Sequence, residues 1–169
     1  MTAEELIRLL RLEPLPVEGG HFRQTWSSDV MLPASALPVR YASPRTAGTA
    51  IYYLLTSDLD SFSALHRLAT DEIYHFYLGD PVEMLLLTED GDAQRIVLGP
   101  DLLGGQEVQH VVPRSVWQGS RLMRGGRFAL LGTTMAPGFD PRDFTLGSRD
   151  QLIRQFPQEA AFIRELTRG

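Results

Sequence analysis

The chain has 169 residues, a formal net charge of −5, no cysteine and, among its sixteen basic residues, only arginine. Without cysteine or lysine it cannot form disulfides, zinc fingers, iron–sulfur clusters, a lysine Schiff base or a Walker A phosphate loop. No arginine cluster favours nucleic acid, and no run reaches the roughly 18 apolar residues of a membrane helix. We therefore expect one soluble, cytoplasmic domain over residues 1–169, without nucleic-acid or membrane partners.

The pattern along the chain predicts a short helix followed by many strands. Thr2 and Glu5 form a capping box, which predicts a helix over 2–12. A β-barrel is predicted over about 21–136, and the Pro- and Ala-rich segment 31–48 is expected to be a surface loop. The predicted strands are 49–56, 72–78, 82–88, 94–98, 106–112, 116–122 and 128–135.

The C-terminal region, about 148–167, is predicted to be helical and to be divided by Pro157. Strands without intervening helices indicate an all-β, mainly antiparallel barrel. Strand 49–56 is apolar on both alternating faces, so both faces must be covered. Small jelly-roll barrels often contain a ligand-sized cavity, and we look for function there.

The run 64–81 resembles the first motif of the cupin superfamily, which contains two histidines, a glutamate and a glycine. His66, Glu72 and Gly79 stand at matching positions. Leu68 stands where the second histidine would be. Segment 113–118 similarly resembles the second cupin motif.

Three departures, Leu68 in the first motif and two in the second, together with two further motifs, narrow the resemblance to the largely uncharacterised cupin type 5 branch. In the second motif, Ser115 replaces the glycine and Gln118 the histidine. Segments 18–23 (EGGHFR) and 136–144 (APGFDPRDF) are also similar to that branch. The resemblance implies a double-stranded β-helix, the cupin jelly-roll barrel, with short N-terminal and C-terminal helices, paired as a homodimer.

The same resemblance raises the question of a metal. In metal-binding cupins, residues at the positions of His66 and Glu72 bind a divalent ion, and Gln118 could add an oxygen. Transition metals favour imidazole, and two imidazoles are replaced here. The metal set His66, Glu72 and Gln118 applies only if a metal is bound; no cofactor is firmly implied, and a divalent metal would be held weakly. We favour a metal-free hydrogen-bond network.

Two functional hypotheses remain open. The first is a binding protein without catalysis for an undefined small ligand. The second is a metal-independent enzyme similar to the sugar-nucleotide epimerases and isomerases of this fold. In it His66 is the base, Glu72 orients it, and Tyr74 or Tyr52 is the acid. A weak divalent-metal cupin enzyme is a further alternative.

The expected ligand-binding residues are charged, aromatic and amide side chains near the motifs. Arg23 and Arg67 could bind an anionic or sugar-like ligand, while His75 has the strand parity that points away from Glu72. The full set is Arg23, Tyr52, Arg67, Phe76, Trp117 and Gln118.

Overall fold

In the computed structural model, which describes residues 1–168, two antiparallel sheets face each other. The helices are α1 (Ala3–Leu10), α2 (Arg149–Gln155) and α3 (Ala160–Glu165). The strands are β1 (Glu13–Pro14), β2 (His21–Ser27), β3 (Met31–Leu32), β4 (Arg45–Thr46), β5 (Thr49–Thr56), β6 (Phe62–Leu68), β7 (Glu72–Gly79), β8 (Val82–Leu87), β9 (Ala93–Leu98), β10 (Gln109–Val112), β11 (Trp117–Leu122), β12 (Phe128–Met135) and β13 (Phe144–Leu146).

The sheet order is that of a jelly-roll barrel. The first sheet runs β1-β2-β5-β12-β7-β10 and the second runs β13-β6-β11-β8-β9. Strands distant in sequence are therefore neighbours, as β5 and β12 are along their whole length. The predicted all-β barrel with short terminal helices is confirmed; β6 is a strand that was not predicted.

The space between the sheets is filled by alternate residues of the strands. Tyr53, Tyr74, Met84 and Leu131 are among the buried side chains of this interior cluster. Because successive strand residues point to opposite faces, their sequence neighbours lie on the outer faces. Parity therefore decides which side chains can reach an interior cavity.

The helices cover the outer faces of the sheets. Helix α1 begins with the predicted capping box of Thr2 and Glu5, and its Leu6 packs with Leu54 and Leu130 on the first sheet. Helices α2 and α3 pack on the second sheet in the same way. This arrangement explains why β5 is apolar on both faces.

One segment departs from the sequence-based expectation. Residues 31–48 were expected to be a surface loop, but β3 and β4 pair there as a small two-stranded sheet. Within it Arg45 is only 3% exposed, because it binds a carboxylate from the far end of the chain. None of the helices within residues 1–168 has the length and apolar character needed to cross a membrane.

Candidate functional site

A cavity of about 360 Å³ lies between the two sheets. Its walls are mostly apolar, and three phenylalanines form what we call the aromatic wall: Phe22, Phe139 and Phe144. Its polar side chains include Glu18, Gln24, Tyr53, His66, Glu72 and Thr133. Cavities of about 300–1,000 Å³ with apolar walls and a few polar groups are typical of small-molecule sites.

His66, on β6, is buried, with 1% of its surface exposed. Its Nδ1 lies 2.8 Å from the carbonyl oxygen of Ala64. Since a carbonyl only accepts, Nδ1 carries the hydrogen and Nε2 of the neutral ring is an acceptor. Burial lowers the pKa of His66 below its ordinary value, although the nearby Glu72 opposes this. The ring is thus held neutral, and Phe144 stacks on it at 5.0 Å between ring centroids.

Glu72, the first residue of β7, places its Oε2 4.0 Å from Nε2 of His66. This separation is longer than a hydrogen bond. Gln118 Nε2, on β11, donates to the same Oε2 at 2.9 Å. Burial raises the pKa of Glu72, against the effect of His66 and of hydrogen bonds from Thr133 and Gln118. The structure thus brings His66, Glu72 and Gln118 together from three strands. Gln118, which we expected to contact a ligand, does not itself line the cavity; its amide holds the carboxyl group of Glu72.

Glu18 is a second carboxyl group of the cavity and was not among the predicted site residues. Ser63 Oγ donates to its Oε1 at 3.0 Å, and burial raises its pKa to about 7. Its position depends on the following two glycines, which both have positive φ. A Cβ at Gly20 would lie 2.9 Å from the carbonyl oxygen of Leu54. The Glu-Gly-Gly motif is the sequence feature that could have identified Glu18, because two adjacent glycines indicate a backbone conformation that other residues rarely adopt.

The residues of the site do not fit a metal centre. Ligands of a tetrahedral ion with bonds of about 2.0–2.1 Å lie roughly 3.3 Å apart, whereas His66 Nε2 and Glu72 Oε2 are 4.0 Å apart. Gln118 turns its amide nitrogen, a donor, toward Glu72. Leu68, an apolar residue, lines the cavity where a further imidazole would be needed. Within residues 1–168, no group of three or more His, Cys, Asp and Glu is arranged to hold an ion.

Several residues that we expected to line the pocket lie elsewhere. Arg23 lies over the ring of Tyr52 at 5.5 Å, and neither lines the cavity. The reason is parity, because their neighbours Phe22 and Tyr53 occupy the cavity wall. Tyr53 is fixed there by the hydrogen bond that its hydroxyl donates to the carbonyl oxygen of Gly19, at 3.0 Å.

The second sheet shows the same effect. Arg67 and Trp117 adjoin His66 and Gln118 in sequence, so they point outward. There Arg67 lies over the Trp117 ring at 4.7 Å, and Trp117 packs against the C-terminal helices. An anion inside the cavity would therefore not meet Arg67.

Two aromatic residues that we expected in the site belong to the interior cluster. Tyr74 is 1% exposed, and Phe76 packs against the same cluster; neither lines the cavity. Burial, together with the carboxylates of Glu72 and Glu18, raises the pKa of Tyr74 well above its ordinary value. Tyr74 therefore stays protonated near neutral pH.

His75 lies on the outer face of the first sheet, as strand parity predicts. Thr134 and Gln109 lie within hydrogen-bond distance of its two ring nitrogens, each at 3.1 Å. Its ring stacks on Tyr77. It therefore takes no part in the cavity.

A buried ion pair holds two of the three residues of the aromatic wall, Phe139 and Phe144, in place. Arg45 donates from Nε and Nη2 to the two carboxylate oxygens of Asp143, at 2.7 and 2.6 Å. The two side chains are 3% and 5% exposed. Asp143 immediately precedes Phe144, and β13 pairs with β6 so that Phe144 is opposite Leu68. The pair thus fixes segment 139–144 against the cavity.

Comparison with known proteins gives the family of this fold and site. The sequence profile of the family described as "Cupin superfamily (DUF985)" matches residues 4–147. An uncharacterized protein of Saccharomyces cerevisiae is 31% identical over 155 residues, which cover 85% of this chain and 76% of that protein.

Two solved structures are similar over nearly their whole length. A hypothetical protein from Leishmania major has 29% identity and a TM-score of 0.88, with 100% of both chains covered. Protein SO0799 from Shewanella oneidensis has 32% identity and a TM-score of 0.86, with 99% of this chain and 98% of that chain covered. The profile match over most of the chain, together with the jelly-roll sheets and the His66–Glu72–Gln118 cluster, shows that this chain belongs to the cupin superfamily, in its type 5 branch.

Proposed function

We propose that the protein binds a small organic molecule in the cavity and that His66 and Glu72 hold its polar group. One observation carries the proposal: Nε2 of His66 and Oε2 of Glu72 lie 4.0 Å apart in the cavity wall. A ligand group between these two atoms can donate hydrogen bonds to them, while the aromatic wall would contact the rest of the molecule.

The charges around the cavity oppose an anionic ligand. Among the described residues that line it, Glu18 and Glu72 are acidic and His66, held neutral, is the only basic group. Arg23 and Arg67, which we expected to bind an anion, lie outside the cavity. The proposed ligand is therefore uncharged or cationic at its polar end.

Proton transfer by His66 is the second candidate function. It is favoured by the orientation of the ring, which presents a neutral Nε2 to the cavity. A partner acid is harder to assign, because Tyr74 does not line the cavity and the hydroxyl of Tyr53 is bound to Gly19. The orienting acceptor of His66 is the Ala64 carbonyl, so Glu72 has no such role in this geometry. Binding without catalysis accounts for more of the site.

The outer face of the first sheet supports the proposal of a homodimer. Beyond the area that α1 covers, Tyr77 and Val111 are 50% and 48% exposed. Val111 is paired with Ile73, so the two side chains share this outer face. A second copy would bury these apolar side chains symmetrically.

The binding function is tested by narrowing the cavity. We suggest a fragment screen by ligand-observed NMR on the wild-type protein and on Leu68→Phe, whose larger side chain would enter the cavity. Leu146→Phe is the matched control, because Leu146 is 43% exposed and does not line the cavity. Thermal melts establish that both variants fold.

We expect fragments to bind the wild type and the control equally, and Leu68→Phe to weaken them by about tenfold or more, which corresponds to about 1.4 kcal/mol. If folded Leu68→Phe binds the same fragments as tightly as the wild type, this cavity is not the binding site.

A further inference from the structure

His66 Nε2 and Glu72 Oε2, which lie close together in the cavity wall, are both hydrogen-bond acceptors. Nδ1 of His66 is bound to the Ala64 carbonyl, which leaves the lone pair on Nε2. Oε2 of Glu72 already accepts from Gln118 Nε2 at 2.9 Å and, as a carboxylate oxygen, has a further lone pair. A group that satisfies both atoms must therefore supply two hydrogens.

The separation of the two acceptors fits one nitrogen atom. An atom at about 2.8 Å from each of two acceptors 4.0 Å apart subtends an angle of roughly 90° between them. This angle is close enough to the tetrahedral arrangement of N–H bonds for one amino group to donate to both. A hydroxyl group has one hydrogen and would leave one acceptor unpaired, and a carboxylate has none.

The charge of the cavity selects among double donors. Glu18 and Glu72 both line it, whereas no arginine does among its described lining residues. A cation is attracted by these carboxyl groups in their ionised form, and it favours their ionisation, in surroundings where water screens little. The organic part of such a ligand would lie near aromatic side chains, since Phe22, Phe139 and Phe144 line the same cavity.

Building on the proposed binding function, we propose that the ligand carries a primary amine. Its nitrogen lies between His66 Nε2 and Glu72 Oε2, and its organic part contacts the aromatic wall. This assigns to the site a class of ligand, small primary ammonium compounds with an apolar or aromatic body.

The proposal is tested with four probes that share a phenyl ring: benzylamine, benzyl alcohol, benzoate and toluene. An apolar cavity of about 150 Å³ is known to accept benzene, so a cavity of about 360 Å³ has room for all four. Ligand-observed NMR titrations at pH 7 give the dissociation constants. We expect benzylamine to bind about tenfold or more tighter than benzyl alcohol, because its hydrogen bonds are charge-assisted, and benzoate to bind most weakly.

The variant Glu72→Gln identifies the acceptor. It should reduce the affinity for benzylamine about tenfold or more and leave that for toluene unchanged. Glu89→Gln is the control for lost charge, since the Glu89 side chain is 69% exposed. If Glu72→Gln does not fold, the order of the four dissociation constants on the wild-type protein still tests the amine proposal.

The outcomes separate the two proposals. If toluene or benzyl alcohol binds and benzylamine binds no tighter, the amine proposal is overturned and the binding function stands. The same holds if benzylamine keeps its full advantage in folded Glu72→Gln. If none of the four probes binds, the amine proposal is overturned, and the fragment screen on the wild type and Leu68→Phe decides the binding function separately.

Discussion

Replacing Glu18 with glutamine tests whether a carboxyl group is held inside the cavity. Burial raises the pKa of Glu18 from 4.5 to about 7, so the folded state binds this proton more tightly than the unfolded chain does. The free energy of unfolding therefore falls as the pH rises from about 4.5 to about 7, and the loss is complete above pH 7. Glutamine has nearly the same shape, can accept the hydrogen bond from Ser63 and does not titrate.

The size of the effect follows from the pKa. A difference of about 2.5 pH units corresponds to about 3 kcal/mol, and we reduce this to about 2 kcal/mol because Glu18 is only half-buried. At pH 8 the variant should therefore be the more stable protein. For a chain of this length, its thermal midpoint should be about 4–8 °C higher. The charge of Glu18 also contributes to the raised pKa of Glu72. Removing that charge therefore makes the ionised form of Glu72 less costly, which adds to the gain in stability.

Urea unfolding of both proteins at pH 5 and pH 8 measures the effect. We expect the advantage of Glu18→Gln to be small at pH 5 and to reach about 2 kcal/mol at pH 8. The control Glu89→Gln, at an exposed position, should follow the wild type at both pH values. A variant whose stability differs from the wild type by the same amount at both pH values would refute the argument that Glu18 is desolvated.

Three further results are expected. Asp143→Asn leaves the Arg45 charge, 3% exposed, without its partner. This loss should lower the free energy of unfolding by about 3–5 kcal/mol and the thermal midpoint by more than about 6 °C. Arg142→Ala, at a side chain that is 62% exposed, should lower the free energy of unfolding by less than about 1 kcal/mol. Equal melting temperatures of the two variants would contradict this. Light scattering should give about twice the 18.9 kDa mass of one chain for the wild type and a monomer for Tyr77→Glu, and a wild-type monomer at micromolar concentration would overturn the dimer. Elemental analysis after dialysis should find well under one transition-metal ion per chain, and one tightly held ion per chain would show that the donor atoms of the site do bind a metal.

The barrel and the His66–Glu72–Gln118 cluster could be predicted because the sequence motifs place these residues at fixed spacings. The rest of the cavity wall could not be anticipated in the same way. In β5 both alternating sets are apolar, since α1 covers the outer face. Alternation therefore did not distinguish Tyr52 from Tyr53, and Tyr53 is the one that faces the cavity.

The alternation of side chains along the strands was a better guide to the cavity wall than residue type. Arg67 and Trp117 each adjoin a buried site residue, which places them on the opposite face of the sheet. The aromatic wall has a different cause, because Phe139 and Phe144 reach the cavity through the Arg45–Asp143 pair. The two charges are separated by 98 positions, and no local pattern relates such distant positions.

The central claim, that His66 and Glu72 hold a ligand, is tested most directly by thermal melts of wild type and Glu72→Gln. Each protein is melted with and without benzylamine at about one hundred times the wild-type dissociation constant. At that concentration binding stabilises the wild type by about 2.7 kcal/mol, which raises its midpoint by about 5–10 °C. Without ligand, Glu72→Gln should melt at the wild-type temperature or slightly higher, because a buried carboxylate is costly, and benzylamine should hardly shift it. If Glu72→Gln instead melts many degrees lower and benzylamine shifts it as much as the wild type, Glu72 stabilises the fold and does not hold the ligand.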